Sequence, residues 1–248
     1  GAAHLRPPAA VRSGAAMTRH AALIKSLMGG LIVSCQARAG NPLHGPVHMA
    51  AMALAAEQGG AAALRIHGED DIRAVKERCS LPVIGIRKVF DAGPVYITPT
   101  FADAAIIVEA GADIVALDAT SRPRSGPESA FELIRRIRGE LGVPVMADID
   151  SLAAGQAAAA AGAELIATTL SGYTSDGAVP TSPDFALLEE LWSAVNVPVI
   201  AEGRFWEPGQ VEDAFRLGAS AVVIGTAVTN PMRITERFVR STPVHAQG

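Results

Sequence analysis

Apolar residues along this chain fall into eight short runs, and each run is followed by a segment in which apolar residues recur at helical spacing. Continuously apolar strands that alternate with helices indicate a parallel sheet covered by helices. We therefore predict a chain of repeated βα units. Their strands are residues 31–36, 62–67, 82–88, 113–119, 144–150, 164–170, 198–203 and 221–226.

Proline and glycine mark the boundaries of these units. A proline opens three of the strands, where it removes no hydrogen bond from the sheet. A Gly-Ala pair precedes three other strands, and its glycine is typical of the end of a helix. These positions are Pro82, Pro144, Pro198, Gly111, Gly162 and Gly218. Ser182 followed by Pro183 predicts a helix start, because serine caps helices and proline suits the first helical position.

A closed barrel best accommodates these units in a chain of 248 residues, because a (β/α)8 TIM barrel typically has about 250. The alternative is an open doubly wound sheet, which usually has a glycine-rich loop after its first strand; this chain has none there. We expect a single α/β domain, the (β/α)8 TIM barrel, over residues 21–240. A disordered N-terminal extension is expected over 1–20 and a C-terminal tail over 241–248.

Composition and charge narrow the function classes. Apolar residues make up 49% of the chain and aromatic residues only 4%, so an aliphatic core is expected. The net charge of −4 argues against a nucleic-acid partner, and no run of about 18 apolar residues indicates a membrane span. Cys35 and Cys79 form no CxxC pair. They predict neither a structural zinc site nor a disulfide framework, and they suit a cytoplasmic protein.

Polar residues collect where the predicted strands end. Active sites of βα barrels lie at the carboxyl ends of the strands, so these side chains are expected to surround one site. They are Gln36, Arg65, Lys88, Asp118, Asp148, Thr169, Glu202 and Thr226. Asp118 is expected to support arginine or backbone groups rather than to react, and Asp150 competes with Asp148 for a place in the site.

Alternation along a strand places three of these charges on the inward face of the barrel. Lys88 shares its face with Ile86 and Glu202 shares its face with Ile200, while Asp148 likewise continues an apolar stripe. A charge in such a position is desolvated unless it has a partner, and desolvation shifts its pKa. The alternatives are a lysine that extends to solvent and a purely structural ion pair.

Glycines follow the last two predicted strands. Gly203 and Arg204 come after the seventh strand, and Gly225 and Thr226 come after the eighth. Loops at these places in TIM barrels often bind phosphate through backbone N–H groups, and glycine lets the backbone approach the ligand closely. We therefore predict that these four residues bind a phosphate group.

A metal site is not expected. His44 and His48 have the spacing of two metal ligands on a helix, but Pro46 lies between them and no carboxylate accompanies them.

The longer motifs of the chain, taken together, carry a family resemblance. They are GLIVSCQA (30–37), LPVIGIRK (81–88), ADIVALDAT (112–120), VMADID (145–150), TTLSGYT (168–174), VIAEGRF (199–205) and VVIGTAVTNP (222–231). In this order they resemble the N-acetylmannosamine-6-phosphate 2-epimerase family. The resemblance implies a cofactor-free isomerase that interconverts N-acetylmannosamine 6-phosphate and N-acetylglucosamine 6-phosphate in amino-sugar metabolism, as in sialic acid catabolism. It also implies a homodimer in which the C-terminal helix engages the partner.

The resemblance also implies residue roles. The catalytic residues are Lys88, Glu202 and Asp148, and the substrate-binding residues are Gln36, Arg65, Thr169 and Tyr173. The chain departs from the family's pattern at two places. His67 follows Ile66 where the family often has an Asn-Gly turn, and Asn230 stands where the family often has an arginine. The second departure removes one expected phosphate contact, for which Arg204 and Arg233 are the candidate replacements.

The reaction that the family carries out suits these groups. Inversion at C2 of an opened sugar needs a base, and a lysine acts as one only when burial and nearby positive charge lower its pKa from about 10.4 toward roughly 7–8. Arg65 would supply that charge and stabilise the enolate oxygen. Lys88 alone, or Lys88 together with Glu202, would move the proton. The rival functions are an FMN-dependent barrel oxidoreductase, another phosphosugar-binding barrel enzyme and an inactive barrel kept as a scaffold.

Overall fold

The structure, a computed structural model, describes residues 9–243, with side chains from residue 18 onward. Its centre is a closed barrel of parallel strands in the order β1 to β8, which confirms the predicted (β/α)8 fold. The strands are β1 (Leu31–Cys35), β2 (Ala63–His67), β3 (Val83–Ile86), β4 (Ile114–Asp118), β5 (Val145–Asp148), β6 (Leu165–Ala167), β7 (Val199–Glu202) and β8 (Ala221–Ile224).

Helices surround the barrel and connect its strands. They are α1 (Ala9–Leu27), α2 (Pro46–Gln58), α3 (Glu69–Lys76), α4 (Phe101–Glu109), α5 (Ala130–Arg136), α6 (Leu152–Ala161), α7 (Phe185–Ala194), α8 (Pro208–Arg216), α9 (Thr226–Thr229) and α10 (Pro231–Val239). A 3-10 turn covers Phe90–Ala92, and a π-helical turn, Ile137–Leu141, extends α5. None of the described helices is long and apolar enough to cross a membrane.

The register brings the carboxyl ends of all strands to one rim. Arg65 of β2 pairs with Ile84 of β3, and Asp118 of β4 pairs with Asp148 of β5. The barrel closes through β1 and β8. The polar residues that end these strands therefore face a common mouth.

Two layers of aliphatic side chains make up the core. The inner layer fills the barrel with residues such as Ile84, Ile86, Met146 and Ile200, which confirms the predicted inward stripes. The outer layer lies between strands and helices. Cys35 belongs to the outer layer, as expected from its alternation with Gln36.

Helix α1 closes the amino end of the barrel. Its last residue, Leu27, is fully buried and packs with the inner layer, and Leu23 and Ile24 pack against the same cluster. Residues 9–20 of the expected disordered extension are helical in the structure. Residues 1–8, like residues 244–248 of the expected tail, lie outside the described residues.

The predicted helix boundaries are confirmed at the three glycines and wrong at Ser182. Gly111, Gly162 and Gly218 all have positive φ, between 100° and 110°, as helix-terminating glycines do. Helix α7 begins two residues later than expected, because Asp184 is its N-cap and accepts a hydrogen bond from the backbone of Leu187.

Candidate active site

A cavity of about 1170 Å³ opens at the carboxyl ends of the strands. It is large enough to enclose a sugar phosphate, since small-molecule sites usually occupy about 300–1,000 Å³. Among the residues that line it are Gln36, Arg65, Lys88, Thr169, Tyr173, Glu202, Gly203, Arg204, Gly225 and Thr226. Ten of the eleven residues expected from the sequence thus share one cavity; Asp148 is the eleventh, and it is fully buried beside it.

Arg65 joins the carboxylates of two other strands. Its Nη1 and Nη2 donate to Asp148 at 2.9 and 2.6 Å, and Nη1 also donates to Glu202 at 3.0 Å. Only 1% of the Arg65 side chain is exposed. A charge buried this deeply is tolerated only when it is paired. Burial alone disfavours the charged guanidinium, but the two carboxylates outweigh it and raise the pKa of Arg65.

The Arg65 guanidinium keeps part of its donor capacity. It has five N–H groups, and three hydrogen bonds to carboxylates are present. Its Nε is buried and has no partner among the described residues. Gln36 is similar: its Nε2 donates to Ser34 at 2.8 Å, while its buried Oε1 has no partner among them. Buried polar atoms are costly unless a ligand or water binds them.

The hydroxyl of Thr169 connects the two carboxylates. Its Oγ1 lies 2.8 Å from Asp148 Oδ1 and 3.0 Å from Glu202 Oε2. A hydroxyl has one proton to donate, so it serves both oxygens at once only when one carboxyl is protonated. Burial, followed by the charge of Asp148, raises the pKa of Glu202. Glu202 therefore takes up a proton more readily than an exposed glutamate does.

Lys88 directs the only amine among the strand-end residues into the cavity. It follows β3, and its backbone pairs with Ile97 in an antiparallel bridge. Burial lowers its pKa to about 8, with further contributions from the positive charges of Arg65 and Arg38. A larger fraction of this amine is therefore neutral at neutral pH than of a surface lysine. Such a lysine has the properties of a general base.

The segment after β3 is held by contacts that the sequence did not reveal. Thr98 adopts φ of 46°, and its Oγ1 donates to the carbonyl of Ala116 at 2.7 Å and accepts the N–H of Arg87 at 3.1 Å. The side chain of Arg87 turns outward and binds Glu69 and Asp103. The side chains of Arg87 and Lys88 therefore point to opposite sides of the barrel wall, as strand alternation requires.

The loop after β7 is tied to the loop after β6. Arg204, which has φ of 63°, donates through Nε to the carbonyl of Ser182 at 2.6 Å and through Nη1 to the carbonyl of Ser171. Its guanidinium also lies 5.3 Å from the centre of the Tyr173 ring. Two of its nitrogens are therefore bound by carbonyls, and Nη2 has no hydrogen bond to a residue within the described range. Gly203 precedes it with φ of 115°.

The loop after β8 approaches β1 closely. A Cβ at Gly225 would lie 3.3 Å from the Cβ of Ser34, so this backbone has little room for a side chain. Thr226 is exposed and begins α9. Asn230, the departure noted in the sequence, caps α10 by accepting from the backbone of Arg233. The Arg233 side chain is paired with Glu236 at 2.8 Å.

The remaining acidic candidates are structural. Asp118 is fully buried and accepts hydrogen bonds from Thr120 and Arg122, which confirms its expected supporting role. Asp150 accepts from Thr174 and is not part of the Arg65 cluster. Within residues 18–243, no group of three or more His, Cys, Asp or Glu side chains is placed to hold a metal.

Known sequences show clear similarity to this chain. A family described as "Putative N-acetylmannosamine-6-phosphate epimerase" matches residues 49–243. A Caldanaerobacter subterraneus protein named "Putative N-acetylmannosamine-6-phosphate 2-epimerase" is 49% identical over 219 residues, which cover 88% of this chain and 92% of the relative. A Cutibacterium acnes protein of the same name is 50% identical over 218 residues, covering 87% and 95%.

Solved structures agree in fold. The structure of N-acetylmannosamine-6-phosphate 2-epimerase from Clostridium perfringens matches with a TM-score of 0.84 and 39% identity, covering 98% of this chain and all of that one. A FabK mutant from Thermotoga maritima matches with a TM-score of 0.59 at 21% identity, covering 87% of this chain and 67% of that one. The second similarity is one of fold alone.

Proposed function

The chain belongs to the N-acetylmannosamine-6-phosphate 2-epimerase family, and we propose that it inverts C2 of N-acetylmannosamine 6-phosphate to give N-acetylglucosamine 6-phosphate. One observation carries this proposal. The buried amine of Lys88, with a pKa of about 8, faces the same cavity as Glu202 and Arg65. This combination provides a base, a proton-holding acid and a cation around one substrate.

The reaction begins on the open-chain sugar. The neutral amine of Lys88 takes the C2 proton, and the electrons of the C–H bond form a C1–C2 double bond while the C1 oxygen becomes an enolate. The enolate intermediate then rotates so that its opposite face meets Lys88, and the ammonium returns the proton to that face of C2. Atoms and charge balance, and no redox cofactor is needed. General base catalysis of this kind contributes about 10²–10⁴-fold.

Glu202 and Asp148 have different tasks in this scheme. Glu202 lines the cavity and has a raised pKa, so its protonated form would donate to the sugar ring oxygen during ring opening. In a two-base version it would also return the proton to C2. Asp148 does not line the cavity; its oxygens are bound by Arg65 and Thr169. We assign it to hold Arg65, whose remaining N–H groups would stabilise the enolate.

The rest of the substrate would be bound around the rim of the cavity. Gln36, Thr169 and Tyr173 would contact the sugar. The phosphate would lie against the loops after β7 and β8, whose residues Gly203, Arg204, Gly225 and Thr226 line the cavity. It would be bound by backbone N–H groups of these loops and by Nη2 of Arg204. These contacts position the reacting carbon, and positioning lowers the barrier even far from the chemistry.

The protein is proposed to act as a homodimer in the cytosol. Helix α10 has no buried residue, and its apolar side chains Met232, Phe238 and Val239 are exposed in the single chain. An apolar stripe of this kind is typical of a subunit interface. Cys35 and Cys79 are both free thiols, which suits a reducing compartment.

A turnover assay tests the proposal. The purified protein, treated with a chelator and showing no flavin absorbance, is given N-acetylmannosamine 6-phosphate, and product is identified by NMR. We expect conversion to N-acetylglucosamine 6-phosphate without added cofactor. No conversion, or conversion only after a flavin or a divalent metal is added, contradicts the proposal and favours one of the rival barrel functions.

A further inference from the structure

His67 lies beside the backbone of Lys88. It is the last residue of β2, and its backbone pairs with Ile86, two residues before Lys88. It shares the inward face of β2 with Arg65, which lies two residues earlier. Its side chain is not among the described residues that line the cavity. His67 is thus close to the cavity without being one of the residues that line it.

The imidazole of His67 binds the backbone of Lys88. The N–H of Lys88 donates to His67 Nδ1 at 3.2 Å. This contact requires Nδ1 to be unprotonated, which places the ring proton on Nε2. Burial, followed by the positive charge of Lys88, lowers the pKa of His67 to about 4; Arg87 adds to this effect and Glu69 opposes it. The ring therefore stays an acceptor at every pH at which the protein would work.

This hydrogen bond falls at the point where the chain leaves the barrel. The N–H of Arg87 binds Thr98, and the N–H of Val89 binds the carbonyl of Tyr96, so both are held by the returning loop. The N–H of Lys88, between them, is held from β2 instead. The backbone at Lys88 is thereby held both by the returning loop and by β2. These contacts also fix the direction in which its Cα–Cβ bond points.

We propose that His67 is a positioning residue for the epimerisation: by holding the backbone N–H of Lys88, it sets the direction in which the amine approaches C2. This inference rests on the proposed function, because it assumes that Lys88 is the base. Catalytic geometry is sensitive to small displacements, and a shift of about 1 Å costs on the order of 10²-fold in rate. Loss of the hydrogen bond is expected to affect turnover rather than substrate binding.

Two amide variants of similar polarity separate this role from a general effect on folding. In His67→Asn the amide oxygen lies at the distance of Nδ1 from the backbone and still accepts the Lys88 N–H. In His67→Gln the amide is one carbon further out, at the place of Nε2, and this acceptor is lost. We expect kcat of His67→Gln to fall on the order of 10- to 100-fold with KM nearly unchanged, and His67→Asn to keep most of the wild-type kcat.

The isotope effect on kcat with C2-deuterated substrate is the second readout. A misdirected amine slows proton transfer, so the isotope effect should rise in His67→Gln. A preparation that is partly unfolded has a lower kcat, but the isotope effect of its active fraction is unchanged. A lower kcat with an unchanged isotope effect therefore counts against the proposal. Equal kcat in the two variants also overturns it. If the wild-type protein itself shows no turnover, the proposed function has failed rather than the role of His67.

Discussion

Both terminal nitrogens of Arg65 bind the carboxylate of Asp148, at 2.9 and 2.6 Å, although the two residues lie 83 positions apart in the chain. The pair is almost entirely buried. The positive charge of Arg65 is one of the causes that lower the pKa of Lys88, and the charges of Glu202 and Asp148 oppose it. The ion pair of Arg65 and Asp148 therefore influences the protonation of Lys88.

Breaking this pair is expected to affect both stability and activity. Asp148→Asn leaves Arg65 with Glu202 alone, and removal of one partner from a buried ion pair costs about 3–5 kcal/mol. The free energy of unfolding, measured in urea, should fall by that amount, and kcat/KM should fall with it. Asp150→Asn is the matched control, because Asp150 lies outside the cluster. Equal effects of the two substitutions would contradict the assigned role of Asp148.

The pH dependence of activity should follow Lys88. Because only the neutral amine is a base, kcat/KM is expected to rise with pH through about 8. Because the pKa of Lys88 is lowered in the folded protein, burial of its charged form reduces the stability of the fold below about pH 8. This loss of stability fades as the pH rises toward 10.5, the ordinary pKa of lysine.

Arg38 provides a check on this assignment. Its charge contributes to the lowered pKa of Lys88, so Arg38→Gln should move the rising limb of the pH profile to higher pH. Arg135→Gln on α5 removes a charge from the outside of the barrel and should leave the limb in place. An unshifted limb in Arg38→Gln would mean that the profile reports another group.

Much of the fold was predictable from the sequence because it depends on local patterns. The eight apolar runs gave the strands to within a few residues at each end, and the barrel and its inward stripes are confirmed. The family resemblance is confirmed as well. Asp118 could be assigned a supporting role because Thr120 and Arg122 follow it closely in the chain.

The contacts that set the chemistry were not predictable, because they join residues from distant strands. Nothing in the sequence near Arg65 indicates that it binds Asp148 and Glu202 together. The proposed role of His67 depends on the hydrogen bond between its Nδ1 and the N–H of Lys88, which follows the neighbouring strand. Arg204 was expected to bind phosphate, but the loop conformation directs two of its nitrogens to carbonyls. Loop conformations of this kind leave no periodic pattern.

The phosphate contact can be tested at Gly225. Gly225→Ala places a methyl group where the backbone is expected to meet the phosphate, so KM for N-acetylmannosamine 6-phosphate should rise about tenfold or more. The rate with unphosphorylated N-acetylmannosamine, which we expect to be very low, should change little. Because the new methyl also presses on Ser34, an equal loss with both sugars would indicate a disturbed β1 instead. Gly209→Ala, in open space on α8, is the control.

The proposed homodimer makes a prediction for α10. Phe238 is 71% exposed in the single chain, and a charge at a buried interface is strongly unfavourable. Phe238→Glu should convert the dimer to a monomer in sedimentation measurements. Trp192→Glu, in α7 and 62% exposed, is the control and should leave the dimer intact. A wild-type protein that sediments as a monomer would refute the proposed assembly directly.

In the proposed mechanism the amine of Lys88 moves the C2 proton. Lys88→Ala removes this amine while the inner layer of Ile84 and Ile86 stays in place, so the barrel should still fold. Lys88→Arg should also be inactive, because a guanidinium stays protonated.

The most direct measurement is incorporation of deuterium at C2 when the protein is incubated with substrate in D2O and the sugar is analysed by NMR. We expect deuterium at C2 of the product with wild-type protein and a rate lower by at least about 10²–10⁴-fold with Lys88→Ala. If Lys88→Ala exchanges the C2 proton at a rate near that of the wild type, Lys88 is not the base, and Glu202 takes its place as the candidate.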